Sequence, residues 1–343
     1  PDLTDGATAA DNCSTTFSWS QNPTSTTLLS SGEGTTHTVT VTANDGNGNT
    51  ATCTVVLTGN DITAPVPDCE NNQTLTLNAN CEITVPDKTN AASATDNCST
   101  SFTWTQNPLQ GAKLPSGEGM MHVVTVTVSD GNGNSSTCTS VLTGNDNMNP
   151  VPACETAQTI ILNSSCQLSI PNLTDGATAT DNCSMSFTWT QNPTVGSLLS
   201  SGEGTTHTVT VTANDGNGNS ATCTVVLTGN DNTSPVPTCE SAQTINLNAS
   251  CQLLVPNLTD GATATDNCSM SFSWSQNPTS STSLSSGEGM THTVTVTVSD
   301  GNGNSATCTI SLTGDDTTPP SITCPSNTTV SANASCQGQI GSY

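Results

Sequence analysis

An internal repeat of 85 residues constrains this chain more than any other feature of its sequence. The tripeptide Asp-Asn-Cys recurs at that period, and the other cysteines keep the same spacing from copy to copy. The four series of cysteines are Cys13, Cys98, Cys183 and Cys268; Cys53, Cys138, Cys223 and Cys308; Cys69, Cys154, Cys239 and Cys324; and Cys81, Cys166, Cys251 and Cys336. The segment Leu28–Asn49 recurs without change as Leu198–Asn219. Near-identical copies in line predict tandem modules with one shared role, which favours a spacer or a multivalent binder over an enzyme.

Each copy has the pattern of short β-strands. Along His37–Ala43, small apolar residues alternate with threonines, which is the period of a strand with one buried face. The turn Asp45–Asn49, rich in glycine and asparagine, separates this segment from a second alternating run and predicts a hairpin. No segment has the 3.6-residue period of a helix. We therefore predict an all-β fold of immunoglobulin-like β-sandwich modules, with six or seven strands in each 85-residue repeat.

The cysteines indicate an oxidising compartment. The chain has 16 of them and contains no Cys-x-x-Cys pair, which argues against a zinc ribbon or a thioredoxin-type site. One repeat offers a thin apolar core, and two disulfides would add about 2–4 kcal/mol each. We therefore expect disulfide-stapled modules in an extracellular or cell-surface protein.

The charge of the chain excludes two classes of partner. It has 27 acidic residues against two basic ones, Lys88 and Lys113, for a net charge of −25. Nucleic acids and anionic membranes are bound through Lys and Arg, so neither is expected as a direct partner. No apolar run approaches the roughly 18 residues of a membrane span. Cations are the natural counter-ions of such a chain.

Several of the recurring elements are similar to those of a known family. Pro65–Cys69, Thr95–Cys98 and Val128–Cys138, in this order and followed by Asp146, resemble the hyalin repeat. The closer resemblance is to the four-cysteine variant in long bacterial surface proteins. It covers every copy and implies an immunoglobulin-like sandwich with a role in adhesion or extracellular scaffolding. It implies no catalytic residue.

The resemblance also sets the module boundaries. They are a partial module at residues 1–61 (its C-terminal part), modules at 62–146, 147–231 and 232–315, and a partial module at 316–343 (its N-terminal part). The linkers are short and contain proline, as in Thr63–Pro67, which predicts a semi-rigid, extended array.

The resemblance implies a disulfide pairing as well. Two-cysteine hyalin repeats keep the first and last cysteines, which lie side by side at one end of such a sandwich. The expected pairs are Cys69–Cys138 with Cys81–Cys98, Cys154–Cys223 with Cys166–Cys183, and Cys239–Cys308 with Cys251–Cys268. The alternative is Cys69–Cys81 with Cys98–Cys138.

Four cysteines have no partner within the chain under this pairing. They are Cys13, Cys53, Cys324 and Cys336. Unpaired thiols are unfavourable in an oxidising compartment, so we expect their partners outside this chain. Either the chain continues beyond both ends, or the tail of one subunit completes the head of the next, as in donor-strand exchange.

Two arrangements of acidic residues suggest calcium. Asp45, Asn47 and Asn49 have the spacing that begins an EF-hand loop, but Thr50 and Val56 occupy positions that need Gly and Glu, so a hairpin turn is preferred. The second hypothesis places calcium at the module junctions. Its ligand candidates are the linker residues Asp61, Asp146 and Asp231 and the Asp-Asn-Cys residues Asp96 and Asp181.

The sequence as a whole predicts a structural, non-enzymatic protein. We expect the stalk or fibre region of a secreted or cell-surface adhesin, or of an extracellular filament, whose partners are further modules or identical subunits. One alternative is a multivalent binder of glycans, proteins or surfaces. A second is a filament subunit that polymerises head to tail through its partial modules.

Overall fold

The structure is a computed structural model that describes residues 1–339. Its regular secondary structure in these residues is entirely β, with no helix. The prediction of an all-β chain of tandem immunoglobulin-like sandwiches is confirmed. A membrane-crossing helix is accordingly absent from residues 1–339.

The chain divides into two compact units, and each is described by itself. The first unit contains Pro1–Cys154, Gly176–Thr190 and Val211–Cys223; the second contains Glu155–Asp175, Gln191–Thr210 and the residues from Thr224 onward.

The first unit begins with residues 1–61, which we call the head segment. Its three strands are β1 (Ser18–Asn22), β2 (Thr36–Asn44) and β3 (Thr50–Thr58), and they form one antiparallel sheet in the order β1-β2-β3. The predicted hairpin turn joins β2 to β3. Both of its glycines have positive φ, 81° at Gly46 and 100° at Gly48, which explains why glycine stands there. Most of β3 is exposed to solvent.

The segment that the repeat predicts as the first module (residues 62–146) has eight strands, against the six or seven expected. They are β4 (Val66–Asp68), β5 (Gln73–Thr76), β6 (Glu82–Thr84), β7 (Ser93–Thr95), β8 (Thr103–Asn107), β9 (Lys113–Pro115), β10 (Met121–Ser129) and β11 (Ser135–Asn145). Four of them are only three residues long, too short to give a clear alternating pattern in the sequence.

These strands form two layers around a small core. One layer is the sheet β5-β11-β10-β8, in which β5 and β11 are parallel, and the other consists of the pairs β4-β7 and β6-β9. The core contains Leu77, Ile83, Val85, Val124, Val126 and Leu142. Val124, Val126 and Val128 repeat the alternating face predicted from the head segment, and each is fully buried. Trp104 is half-buried and packs against this core.

The second module (residues 147–231) has the corresponding strands. They are β12 (Val151–Ala153), β13 (Gln158–Ile161), β14 (Gln167–Ser169), β15 (Thr178–Thr180), β16 (Thr188–Asn192), β17 (Leu198–Ser200), β18 (Thr206–Asn214) and β19 (Ser220–Asn230). In the first unit β12 pairs with β15, and in the second unit β13 pairs with β19 and β14 with β17.

The third module (residues 232–315) lies in the second unit. Its strands are β20 (Val236–Thr238), β21 (Gln243–Asn246), β22 (Gln252–Leu254), β23 (Thr263–Thr265), β24 (Ser273–Asn277), β25 (Ser283–Ser285), β26 (Thr291–Ser299) and β27 (Ser305–Asp315). They repeat the arrangement of the first module, with a sheet in the order β21-β27-β26-β24 and the pairs β20-β23 and β22-β25.

One ion pair distinguishes the first module. Lys88 is 2% exposed, and its Nζ lies 3.2 Å from Oε2 of Glu70 and donates to the carbonyl oxygen of Asn71 at 3.3 Å. The positions equivalent to Lys88 in the next two modules are Leu173 and Leu258, both fully buried. The ion pair therefore occupies a place where an apolar side chain completes the fold in the sister modules.

Three of the five disulfides close a loop within one module. They are Cys69–Cys138, Cys154–Cys223 and Cys239–Cys308, each with a sequence separation of 69 residues, and all three had been expected. Each ties the start of a module to its last strand.

The other expected pairs, Cys81–Cys98, Cys166–Cys183 and Cys251–Cys268, do not form. The structure bonds Cys81 to Cys183 and Cys166 to Cys268, so these disulfides join successive modules. The physical reason is distance: the turn at Cys81 is hydrogen-bonded near Asn145, whereas the loop at Cys98 lies beside Asn132. The strand β11, 11 residues long, runs between those two ends and spans about 36 Å.

Six cysteines remain outside disulfides among residues 1–339. They are Cys13, Cys53, Cys98, Cys251, Cys324 and Cys336, and all are exposed. Cys13, Cys53, Cys324 and Cys336 are the four whose partners are expected outside the chain, which stays a prediction, and Cys98 and Cys251 join them because of the corrected pairing.

Candidate cation sites at the module joints

Three clusters of aspartates recur where one module meets the next. The first joint has Asp61, Asp96 and Asp130; the second has Asp146, Asp181 and Asp215; the third has Asp231, Asp266 and Asp300. In each cluster, one carboxylate oxygen from each residue lies within 4.8 Å of the other two. The first two clusters lie in the first unit and the third lies in the second unit.

At the second joint, the three carboxylates come from both modules. Asp146 follows the last strand of the first module, and its backbone N donates to Oε2 of Glu118 at 2.6 Å. Asp181 belongs to the Asp-Asn-Cys loop of the second module, and Asp215 begins its β18–β19 turn. Asp146 and Asp215 are 2% and 6% exposed. A cation bound among them would contact both modules.

Two asparagines of the β18–β19 turn donate hydrogen bonds across this joint. Asn217 Nδ2 donates to Asp146 Oδ2 and to Ser184 Oγ, both at 3.0 Å. Asn219 Nδ2 donates to the carbonyl oxygen of Asp146 at 3.2 Å and to Asp215 Oδ2 at 2.7 Å. Equivalent bonds from Asn132 and Asn134 reach Asp61, and bonds from Asn302 and Asn304 reach Asp231.

The turn also keeps its own aspartate ionised. Burial raises the pKa of Asp215, but hydrogen bonds donated by Asn219 and Asn217 outweigh it, so the pKa lies below its ordinary value. The pKa values of Asp130 and Asp300 are lowered with the same balance of causes. A carboxylate that stays charged beside two others is the state that a cation site requires.

Some buried oxygens at these joints have no hydrogen-bond partner. Asp181 Oδ2 is one, although the other oxygen of the same carboxylate accepts from the backbone N of Cys183 and of Ser184. Asp96 Oδ2 and Asp266 Oδ2 are in the same position at the other two joints. A buried carboxylate oxygen without a donor is costly unless a cation or water satisfies it.

The protein itself supplies no positive charge to the clusters. Within residues 1–339 the salt bridge between Lys88 and Glu70 is the sole ion pair. Two unit charges 4.8 Å apart repel by about 3.5 kcal/mol at an effective dielectric constant of about 20. The ligand set is oxygen, without histidine or cysteine, and such sets are typical of calcium rather than zinc.

Each of the five aspartates predicted as calcium candidates belongs to one of the three clusters. Asp61 lies with Asp96, Asp146 lies with Asp181, and Asp231 belongs to the third cluster. Sequence reasoning missed Asp266, although it repeats Asp96 and Asp181 at the 85-residue period.

The sequence reasoning also missed the turn aspartates Asp130, Asp215 and Asp300. The equivalent turn at Asp45 is weighed above as an EF-hand-like loop, with a hairpin preferred; in these three copies the turn is a hairpin, but its first residue also reaches the cluster. The 85-residue recurrence of Asp-Gly-Asn-Gly-Asn was the signal that could have found them.

The chain is similar, at low sequence identity, to several solved structures. The chain is similar to extracellular cadherin domains 1–5 of protocadherin gamma B2 (14% identity, TM-score 0.40), covering 83% of this chain and 67% of that one. It is also similar to domains EC3–6 of protocadherin gamma B7 (16%, TM-score 0.40; 81% and 84% covered) and to EC22–24 of mouse cadherin-23 (15%, TM-score 0.36; 74% and 99% covered). No protein-family model and no curated protein sequence matches the chain. The fold and the cation sites are argued from their own geometry, independently of these similarities.

Proposed function

We propose that this chain is the structural repeat region of a secreted or cell-surface protein, the stalk or fibre of an adhesin or filament, whose module joints bind calcium. The observation that carries the proposal is the recurrence of one acidic cluster at three joints, built each time from both neighbouring modules. The role is mechanical rather than catalytic. The five disulfides favour an oxidising, extracellular location.

A cation at the joint would control its stiffness. Without a cation, Asp146 of the first module faces Asp181 and Asp215 of the second, and the charges repel. With one, the same carboxylates become shared ligands, and the short linker between the modules loses freedom. We therefore expect calcium to rigidify the array, with dissociation constants of about 0.1–1 mM, as for extracellular calcium modules.

Relationship to the hyalin repeat is part of the same proposal. Its support is the set of motifs in the sequence, together with the exposed linkers that separate the modules. The last copy begins with the corresponding proline-containing element before its cysteine, Thr318–Pro325.

Calcium binding can be measured directly by isothermal titration, or by terbium luminescence with Tb³⁺ as the probe. We expect three sites per chain, and two in the variant Asp181→Asn, whose amide oxygen can still accept from the backbone N of Cys183 and of Ser184. The matched control is Asp175→Asn, because Asp175 is exposed and lies outside every cluster. Absence of calcium binding, or loss of a site in the control alone, would contradict the proposal.

A second candidate function is assembly through the head segment. The strand β3 is exposed, whereas its equivalent β11 in the first module is paired in parallel with β5. The C-terminal segment, residues 316–339, has the same turn that follows β5 in the first module. Asn333 N donates to the Gln337 carbonyl oxygen at 3.0 Å, as Asn78 N does to that of Glu82. A segment like this one, from a neighbouring repeat or an identical subunit, would complete the head segment.

The spacings of the five disulfides specify the bonds that identical subunits would form. Turn cysteines bond 102 residues ahead, and the cysteines at module starts bond 69 residues ahead. If these spacings continue from one subunit into the next, Cys251, Cys324 and Cys336 of one subunit would bond Cys13, Cys53 and Cys98 of the next, respectively. Peptide mapping of the unreduced 343-residue chain tests the idea, and a monomer with six titratable thiols would refute subunit assembly.

A further inference from the structure

The two disulfides between modules each cross an exposed linker. Residues 147–149 and residues 232–234 lie between the modules, outside any strand, and all six residues are exposed. Such segments are where proteases cut folded proteins most readily. Cys81–Cys183 spans the first of these linkers, and Cys166–Cys268 spans the second.

The disulfides within modules do not span these linkers. They span residues 69–138, 154–223 and 239–308, so a single cut between Cys138 and Cys154 or between Cys223 and Cys239 would separate two modules. The bonds between modules span residues 81–183 and 166–268 and so cover both gaps. Every peptide bond from Cys69 to Cys308 is therefore bypassed by at least one disulfide.

We propose that Cys81–Cys183 and Cys166–Cys268 are second covalent connections, which keep neighbouring modules joined and their joint assembled after the linker is cut. The chain would then tolerate proteolytic nicks in these two exposed linkers without losing continuity. The cations of the proposed function are not needed for this continuity.

Contacts around the bridge favour an intact joint in the nicked state. Asn182 Nδ2 donates to the carbonyl oxygen of Asn78 at 3.0 Å, and Cys81 N donates to the same oxygen at 2.9 Å. Leu77 N donates to the Asn145 carbonyl oxygen at 2.9 Å, next to Asp146. The bridge therefore ties the Asp-Asn-Cys loop of one module to the end of the other, without passing through the linker.

The third joint repeats these contacts in the second unit. Asn267 Nδ2 donates to the Asn163 carbonyl oxygen at 3.0 Å, and Leu162 N donates to that of Asn230 at 3.0 Å. Both cysteines of each bridge are half-buried, whereas Cys98 and Cys251, which have no partner among residues 1–339, are exposed. Held by its bridge, a nicked joint would keep its two faces together at an effective concentration on the order of millimolar.

The test introduces the recognition sequence of a site-specific protease into one linker at a time. The insertion points are between Met148 and Asn149, between Thr233 and Ser234, and between Thr63 and Ala64. After cleavage, we expect the first two proteins to keep their full mass without reductant and to split into two fragments with it. The third should split without reductant, because no disulfide within residues 1–339 spans residues 62–64.

A double variant assigns the effect to one bridge. In Cys81→Ser/Cys183→Ser, cleavage after Met148 should separate the fragments without reductant, whereas cleavage after Thr233 should not. The second cut controls for the folding of the variant, because its bridge is untouched. Fragments that separate without reductant after the Met148 cut in the otherwise unchanged protein would overturn the proposal.

Calcium binding by the nicked protein separates this inference from the proposed function. We expect the protein cut after Met148 to retain three sites, and the cut double variant to retain two. If the fragments stay joined but neither the intact nor the cut protein binds calcium, the proposed calcium sites are wrong and the proposal of a second covalent connection is retained.

Discussion

Replacing Asp181 by asparagine should change the stability of the second joint in opposite directions with and without calcium. The substitution keeps the size of the side chain and its capacity to accept from the backbone N of Cys183 and of Ser184. It removes one negative charge from a cluster of three. A residue with a merely structural role would not give such a reversal.

The magnitude follows from the distances. Each pair of carboxylates within 4.8 Å repels by about 3.5 kcal/mol at an effective dielectric constant of about 20, and the variant loses two such pairs. Side chains relax and salt screens the charges, so we expect about 1–2 kcal/mol of net stabilisation in a chelator. Calcium at 100 times its dissociation constant stabilises the unsubstituted joint by about 2.7 kcal/mol, which the variant lacks.

Differential scanning calorimetry measures the melting temperatures of the variant and of the unsubstituted protein, in chelator and in excess calcium. We expect the variant to melt higher than the unsubstituted protein in chelator and lower in calcium, by a few degrees in each case. Asp175→Asn, at an exposed position, should leave the order unchanged. A variant that melts lower in both conditions would refute the electrostatic reasoning, because it would show that Asp181 stabilises the joint without a cation.

Three further predictions concern the fold and the pH response. Lys88→Leu should be close to neutral, since Leu173 fills the equivalent site in a repeat whose residue equivalent to Glu70 is also a glutamate, Glu155, whereas Lys88→Ala should cost about 2–5 kcal/mol because it leaves a cavity; urea unfolding measures both, and a costly leucine would contradict the comparison of modules. The pKa of Asp215 is lowered, so the stability that its ionised form contributes is present above the ordinary pKa of aspartate and is lost as the pH falls through the lower pKa of the folded protein; calcium should therefore cease to raise the melting temperature only below the ordinary value of about 3.9. Gly144→Ala should cost about 1–3 kcal/mol by thermal melting, because the new Cβ would lie 2.6 Å from the carbonyl oxygen of Gly117, whereas Gly117→Ala meets no atom within 4 Å and serves as the control.

Much of the fold could be predicted from the repeat alone. Alternation along His37–Ala43 indicated which residues are buried, and Val39 and Val41 are each 2% exposed. The short strands β7 and β9 could not be predicted, because three residues carry no period. Their pairing depends on partners supplied by the rest of the sandwich.

The disulfides show why the rest of the joint was harder to predict. Cysteine spacing fixes which residues recur but not which ends of a module meet. Of the pairs implied by the resemblance, only those within a module that join its first and last cysteines, such as Cys69–Cys138, are present. The partner of Cys81 lies in the next module, beyond the reach of any argument made within one repeat. The same holds for the aspartates: a turn residue such as Asp215 joins Asp146 because two modules are in contact.

The second and third joints each contain an aspartate cluster and a disulfide between modules, and the repeat places the two side by side. Cys183 is two residues from Asp181, and the backbone N of Cys183 donates to that carboxylate at 2.9 Å. The first joint has the aspartates Asp61, Asp96 and Asp130 but no bridge among residues 1–339, so it separates the two contributions within one molecule. If the cation sets stiffness and the disulfide sets continuity, chelation should loosen all three joints, whereas a linker cut should divide the chain at the first joint alone. A chain that divided at every joint would mean that the bridges are not the second connection, and one whose joints ignored chelation would mean that the aspartates hold no cation.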